Sequence, residues 1–123
     1  IVLAVEVLAE ITVYVRDMKA ALHFYRDLLG MPVAVNYFAH AHLDAGNMPL
    51  VLRTTWRQCD HNGPFGSRLI LQCDDLVGLR RRLAAAGVGW QDLAPDAILC
   101  RDPAGNEVLL RGVLSPENGM GRR

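Results

Sequence analysis

Two stretches of this chain follow the same grammar, and that duplication constrains its fold more than any single motif does. The first begins with the run I-T-V-Y-V from Ile11, ends at Asp17 and continues with Met18, Leu22, Tyr25 and Leu29 at helical spacing. Lys19, His23, Arg26 and Asp27 fall on the opposite helical face. Asp17 is placed to N-cap the helix and Gly30 to close it in the left-handed conformation, with Pro32 just beyond. From Leu69 the pattern returns: L-I-L-Q-C, Asp75 as cap, Leu76, Leu79, Leu83 and Ala86 on one helical face, then Gly87. Asp75 lies 58 residues after Asp17 and Gly87 lies 57 after Gly30, so the first helix region carries one extra residue.

The later parts of each copy also correspond. Ala45-Gly46-Asn47 leading to Leu52-Arg53 mirrors Ala104-Gly105-Asn106 leading to Leu110-Arg111. Short strands are expected at Val33 to Phe38, His40 to Ala45 and Met48 to Arg53. In the second copy they are expected near Trp90, at Ala97 to Arg101 and at Glu107 to Arg111. Asp102-Pro103-Ala104-Gly105 is a tight turn between the last two strands, because Pro fixes φ and Gly accepts positive φ. Each copy therefore spells βαβββ. The boundaries are module one over about 8–55, a linker over about 56–66 containing Gly63, Pro64 and Gly66, and module two over about 67–112. A half of about 55 residues cannot bury its sheet alone, so residues 1–123 form a single domain in which the halves pack or exchange edges.

Composition excludes several functions. The 123 residues are 51% hydrophobic, which rules out intrinsic disorder, and no run reaches the roughly 20 apolar residues of a membrane span. Thirteen basic residues balance thirteen acidic ones, leaving no electrostatic footprint for nucleic acid or an acidic membrane. Cys59, Cys73 and Cys100 are odd in number and lack CxxC spacing, as expected for free thiols in a cytoplasmic protein. The opening IVLAVEVLA is interrupted by Glu6 and has no basic segment before it, so an extra strand suits residues 1–9 better than a signal peptide.

The runs I-T-V-Y-V-R-D, F-Y-R-D-L-L-G-M at 24–31, D-D-L at 74–76 leading to L-A-A-A-G-V, and R-D-P-A-G-N-E-V at 101–108 together resemble the vicinal oxygen chelate superfamily. This is the glyoxalase, bleomycin-resistance and extradiol-dioxygenase group, and the resemblance covers about residues 10–112. It implies an α+β fold of two tandem βαβββ modules forming a cupped, mostly antiparallel sheet around a cavity, helices on the outer face, commonly as a homodimer. Its members include metal lyases, isomerases, dioxygenases and metal-free drug-binding proteins, so the fold alone does not fix the chemistry.

Metal-using members take ligands from the start of each module's first strand and the middle of its last. By spacing these positions fall on Glu10, Arg68, Val51 (or Leu50) and Leu109. Only Glu10 offers a metal a lone pair: a guanidinium only donates, and Val and Leu have no donor atom. The expectation is no metal and no cofactor, with Glu10 and Arg68 facing each other where an ion would sit. The alternative places both charges at a solvated rim.

Strand alternation puts Glu10, Thr12 and Tyr14 on the cavity face of the first strand, and Arg68, Ile70 and Gln72 on that of the fifth. Glu107, Leu109 and Arg111 share that face on the last strand. The mixed apolar and polar lining suits a small organic ligand, with Arg68 or Arg111 holding an acidic or carbonyl group.

His40 and His42 share a strand face, but a metal needs a third ligand that spacing does not identify. Cys59-Asp60-His61 is a weaker grouping of the same kind. Trp56 and Trp90 are stacking candidates or interface packing, and only one of the adjacent Tyr37 and Phe38 can point inward. Arg80-Arg81-Arg82 read as a solvated helix face. With Ser67 and Ser115 the only serines, no G-x-S-x-G elbow and no phosphate loop, nucleophilic catalysis lacks a candidate. A lone carboxylate such as Glu10 or Glu107 predicts no reaction. The sequence thus favours ligand sequestration in a metal-free cavity. The alternatives are a divalent-metal lyase, isomerase or dioxygenase using Glu10 with His40 or His42, and an assembly subunit with a vestigial cavity.

Overall fold

A computed structural model describes residues 9–55 and 68–112. Glu6, Trp56, Cys59-Asp60-His61, Ser67 and Ser115 lie outside these. Module one comprises β1 (Ile11–Val15), α1 (Met18–Leu22) running on into a π-helical segment (His23–Leu28), β2 (Val33–Asn36), β3 (His40–Asp44) and β4 (Pro49–Thr54). Module two repeats this with β5 (Arg68–Cys73), α2 (Leu76–Ala85), β6 (Trp90–Ala94), β7 (Ala97–Arg101) and β8 (Glu107–Gly112). The strands form two four-stranded mixed sheets, ordered β1-β4-β3-β2 and β5-β8-β7-β6. In each, the first strand pairs parallel with the last and the other two pairings are antiparallel. This is the α+β, tandem βαβββ architecture.

Local chemistry fixes the helices. The Asp17 carboxylate accepts from the backbone N–H groups of Lys19 and Ala20, and Asp75 accepts from that of Gly78. These bonds satisfy donors that a helix start leaves orphaned. Gly30 (φ 83°) and Gly87 (φ 75°) supply the left-handed stop. The extra residue of the first helix region is absorbed as the π-helical segment, where Leu29 N–H reaches back five residues to the Phe24 carbonyl at 3.0 Å. Its widened turn buries two consecutive aromatics, Phe24 and Tyr25, edge to face at 5.0 Å.

One core serves both modules. Val13 and Val15 of β1, Leu50 and Leu52 of β4, Leu76, Leu79 and Leu83 of α2 and Val108 and Leu110 of β8 belong to a single buried cluster. α1 packs on β4, α2 packs on β8, and α2 touches the π-helical segment across the module boundary. Each sheet therefore buries one face, while the other carries the alternate residues: Thr12 and Tyr14 on β1, Arg68, Ile70 and Gln72 on β5, and Glu107, Leu109 and Arg111 on β8. No helix among the described residues is long and apolar enough to cross a membrane.

A buried polar joint ties the modules together. The Tyr25 hydroxyl donates to Asp102 Oδ2 at 2.7 Å, 77 residues away. Asp102 also accepts from the N–H groups of Ala104 and Asn106 and from Asn106 Nδ2, which donates in turn to the Tyr14 carbonyl of β1. Asp102 thus both closes the β7–β8 turn, where Gly105 N–H donates to its carbonyl at 2.9 Å, and receives module one.

Candidate functional site

A groove of about 990 Å³ lies between the modules. One wall is the edge strand β5 with Leu110 and Arg111 of β8. The other is built from Ile11, the helix stop at Leu29–Pro32 and the β3–β4 turn from Asp44 to Leu50. Because β5 pairs only with β8, its free edge runs along the groove and residues of both its faces reach it. Four of the nine anticipated ligand-binding residues, Arg68, Ile70, Gln72 and Arg111, line it together. Glu107 and Leu109 lie on the same face of the second sheet but off the groove. Thr12 and Tyr14 sit on the open face of the first sheet, and Glu10 is exposed just before β1.

Charge pairing separates the two arginines. Arg68 does not face Glu10 as the spacing suggested: its guanidinium contacts Glu107 Oε1 at 2.9 Å through both Nε and Nη2. The physical reason is register, since the parallel β5–β8 ladder sets Arg68 directly beside Glu107. The second Glu107 oxygen takes Arg101 at 3.5 Å. Arg68 is thereby held, sharing the Glu107 carboxylate with Arg101. Arg111, flanked by Gln72 and Ala97, is exposed and makes no ion pair among the described residues.

The positions that hold metal in metal-using relatives do not fit one here. Val51, beside Thr12 and His42 in the ladder, is buried and offers no donor atom. Leu109 sits beside Ile70, and Arg68 is committed to Glu107. Glu10 alone has donor oxygens. His40 Nδ1 and His42 Nε2 lie 3.2 Å apart and hydrogen-bond each other. No three His, Cys, Asp or Glu side chains among the described residues converge on an ion.

The other candidates resolve individually. Arg80 is partly buried and donates to Asp92 and to the Pro95 carbonyl, which corrects its assignment to a wholly solvated triplet; Arg81 and Arg82 are exposed. Trp90 packs against the core, while Tyr37 and Phe38 are both exposed, Phe38 completely. Cys100 is buried beside Asp102, and that burial, with the carboxylate adding to it, pushes its thiol up to about 11. Such a thiol is not a nucleophile at neutral pH. The sequence missed Arg82 as a groove residue, although Asp75, Leu79 and Arg82 stand at i, i+4 and i+7 on one helical face and all line the groove. The module-one wall left no sequence signal, because it depends on how the helix stop sits against β5.

A sequence profile described as Glyoxalase/Bleomycin resistance protein/Dioxygenase superfamily matches residues 7–110. The chain belongs to that superfamily. A search of curated proteins gives no match. Among solved structures, a lactoylglutathione lyase from Agrobacterium tumefaciens superposes with a TM-score of 0.67 at 22% identity, covering 89% of this chain and 95% of that one. An antibiotic-binding protein from a Streptomyces species gives 0.68 at 21%, covering 89% and 98%. A fosfomycin resistance protein from Mesorhizobium loti gives 0.70 at 14%, covering 92% and 97%. At these identities the likeness shows a shared fold, and superfamily members on that fold differ in what they do.

Proposed function

We propose that this superfamily member is a cytoplasmic homodimer that binds a small, partly apolar organic molecule in the inter-module groove without a metal, and so sequesters it. The observation that carries this is Arg111: a guanidinium with no ion pair among the described residues, in a groove whose lining includes Ile11, Leu50, Leu69, Leu79 and Leu110. A volume of about 990 Å³ is at the upper end for drug-sized ligands. The apolar walls supply affinity by removing ligand surface from water, and the guanidinium fork orients a carboxylate or carbonyl. Gln72 stands beside Arg111 in the ladder and adds neutral hydrogen-bonding capacity. Arg68, held by Glu107, shapes the wall instead of anchoring the ligand. The donor set gives the metalloenzyme alternative no support, and an antibiotic-binding relative on the same fold is in keeping with sequestration.

The test is the thermal midpoint of the chain against a panel of small apolar acids and their neutral amides. A ligand that binds only the native state, at 100 times its Kd, adds about 2.7 kcal/mol and raises the midpoint by several degrees. Acids are expected to stabilise wild type and to lose most of that effect in Arg111→Leu, whereas neutral analogues shift both proteins equally. A panel in which no compound raises the midpoint, or acids acting equally on both proteins, would overturn the proposal.

A further inference from the structure

Two copies of one unit that pack about a two-fold axis make each contact twice, i on j and j on i. Here one contact is made on one side only. In the buried joint, module one supplies Tyr25 and the Tyr14 carbonyl, and module two supplies Asp102 and Asn106. Exchanging the copies turns these into Arg82 and Gln72 of module two and Asp44 and Asn47 of module one. Tyr25 and Arg82 each stand five residues before the glycine that stops their helix, and Tyr14 and Gln72 each stand three before the capping aspartate. Asp44 and Asp102 open matching turns: Asp44 accepts from Gly46 N–H at 2.7 Å as Asp102 does from Ala104 N–H at 2.9 Å, and Gly46 and Gly105 hold φ of 98° and 91°. All four counterparts line the groove. There the joint is open. Tyr25, Asp102 and Asn106 are buried, whereas Arg82, Asp44, Asn47 and Gln72 are exposed. Among the described residues, the Arg82 guanidinium has neither an ion pair nor a hydrogen bond, and the Asn47 amide has no partner.

We infer that Arg82 and Asp44 form a strap that closes across the groove, the Arg82 guanidinium taking at Asp44 the place that the Tyr25 hydroxyl takes at Asp102. Asn47 completes the strap by donating to the Gln72 carbonyl, as Asn106 does to that of Tyr14. The change of side chain changes the behaviour of the joint. A phenol buried in the core holds its carboxylate permanently, whereas a guanidinium on a long exposed stem forms a weak, water-exchanging ion pair that makes and breaks without moving the walls. Closed, the strap ties the module-one wall to α2 and restricts access to the groove; open, as in this structure, it leaves the groove accessible. The strap gates whatever the groove holds, and its own formation requires no ligand.

The first test is zero-length cross-linking of Arg82→Lys in the full chain with a water-soluble carbodiimide, which joins an amine to a carboxylate only at contact, read by peptide mass spectrometry. Arg68→Lys is the reference, because Arg68 already lies 2.9 Å from Glu107. A cross-link between positions 82 and 44 is expected, falling severalfold in about 1 M salt, which screens an exposed pair, and lost when Asp44→Asn is added. The second test reads access: Cys73 lines the groove, and its rate of alkylation by N-ethylmaleimide is expected to rise severalfold in both Asp44→Asn and Arg82→Gln. Removing a negative and a positive charge would shift a purely electrostatic effect in opposite directions, so a common increase is the signature of the strap. Both positions are exposed, and neither variant touches the core. The reference cross-link without the 82–44 one, position 82 joined to Asp74 or Asp75 instead, or alkylation rates that stay equal or move in opposite directions would overturn the inference. The groove proposal fails separately, through an Arg111→Leu variant that responds to acids as wild type does, a result that leaves the cross-link unchanged.

Discussion

Tyr25 joins the two modules through a buried hydrogen bond to Asp102. Burial, with the Asp102 carboxylate 2.7 Å away adding to it, pushes its hydroxyl well above the ordinary tyrosine range. Replacing it by Phe removes one of the four donors to a buried carboxylate and is expected to cost about 2 kcal/mol in chemical denaturation. The pH consequence has a definite sign. A phenol or thiol whose folded pKa lies above its unfolded value favours the native state fully at low pH, and this contribution falls once pH passes the unfolded pKa. Stability is therefore expected to fall from about pH 9, where Cys100 titrates in the unfolded chain, and more steeply above about pH 10, where Tyr25 does. Denaturant midpoints at pH 8 and pH 11 check this: Tyr25→Phe and Cys100→Ala should each flatten the decline, and equal slopes in all three proteins would contradict it.

At the scale of elements, the caps and stops set the helix ends. Asp17→Ala and Asp75→Ala are each expected to lose about 1 kcal/mol, and Gly30→Ala or Gly87→Ala a comparable amount because both glycines hold positive φ. Calorimetric midpoints of the four variants check these values. The same features made most of the fold legible, since alternation in I-T-V-Y-V and helical spacing from Met18 to Leu29 are read directly from side-chain polarity. The one-residue difference between the copies was visible too. Its resolution as a π-helical segment was not, because the choice between a wider turn and a looped-out residue depends on whether Phe24 and Tyr25 both gain buried partners. Alternation separated the packed from the exposed faces of β1, β5 and β8, but not which of them meets the groove, since Ile11, Leu69, Leu71 and Leu110 of the packed faces line it. The partner of Arg68 was missed because spacing within one strand says nothing about the neighbour that a parallel ladder sets beside it.

For the whole molecule, the shared core makes the two modules one cooperative unit. Leu83, fully buried on α2, belongs to the same cluster as Val13 and Leu52 of module one. Leu83→Ala is expected to cost 2–5 kcal/mol, and fluorescence and circular dichroism should report a single coincident transition; two separate transitions would mean that the modules unfold independently. The groove owes its existence to this arrangement, for it forms where the edge of β5 meets the helix stop of the other module. The proposed function turns on a guanidinium, and not an ion, recognising the ligand's oxygen atoms. The most direct measurement is the affinity of a stabilising acid ligand for wild-type protein before and after exhaustive chelation, and again after addition of divalent zinc, iron, nickel or manganese. One unchanged affinity in all three conditions, lost in Arg111→Leu, is the predicted result. Binding that disappears with chelator and returns with one of these ions would contradict it.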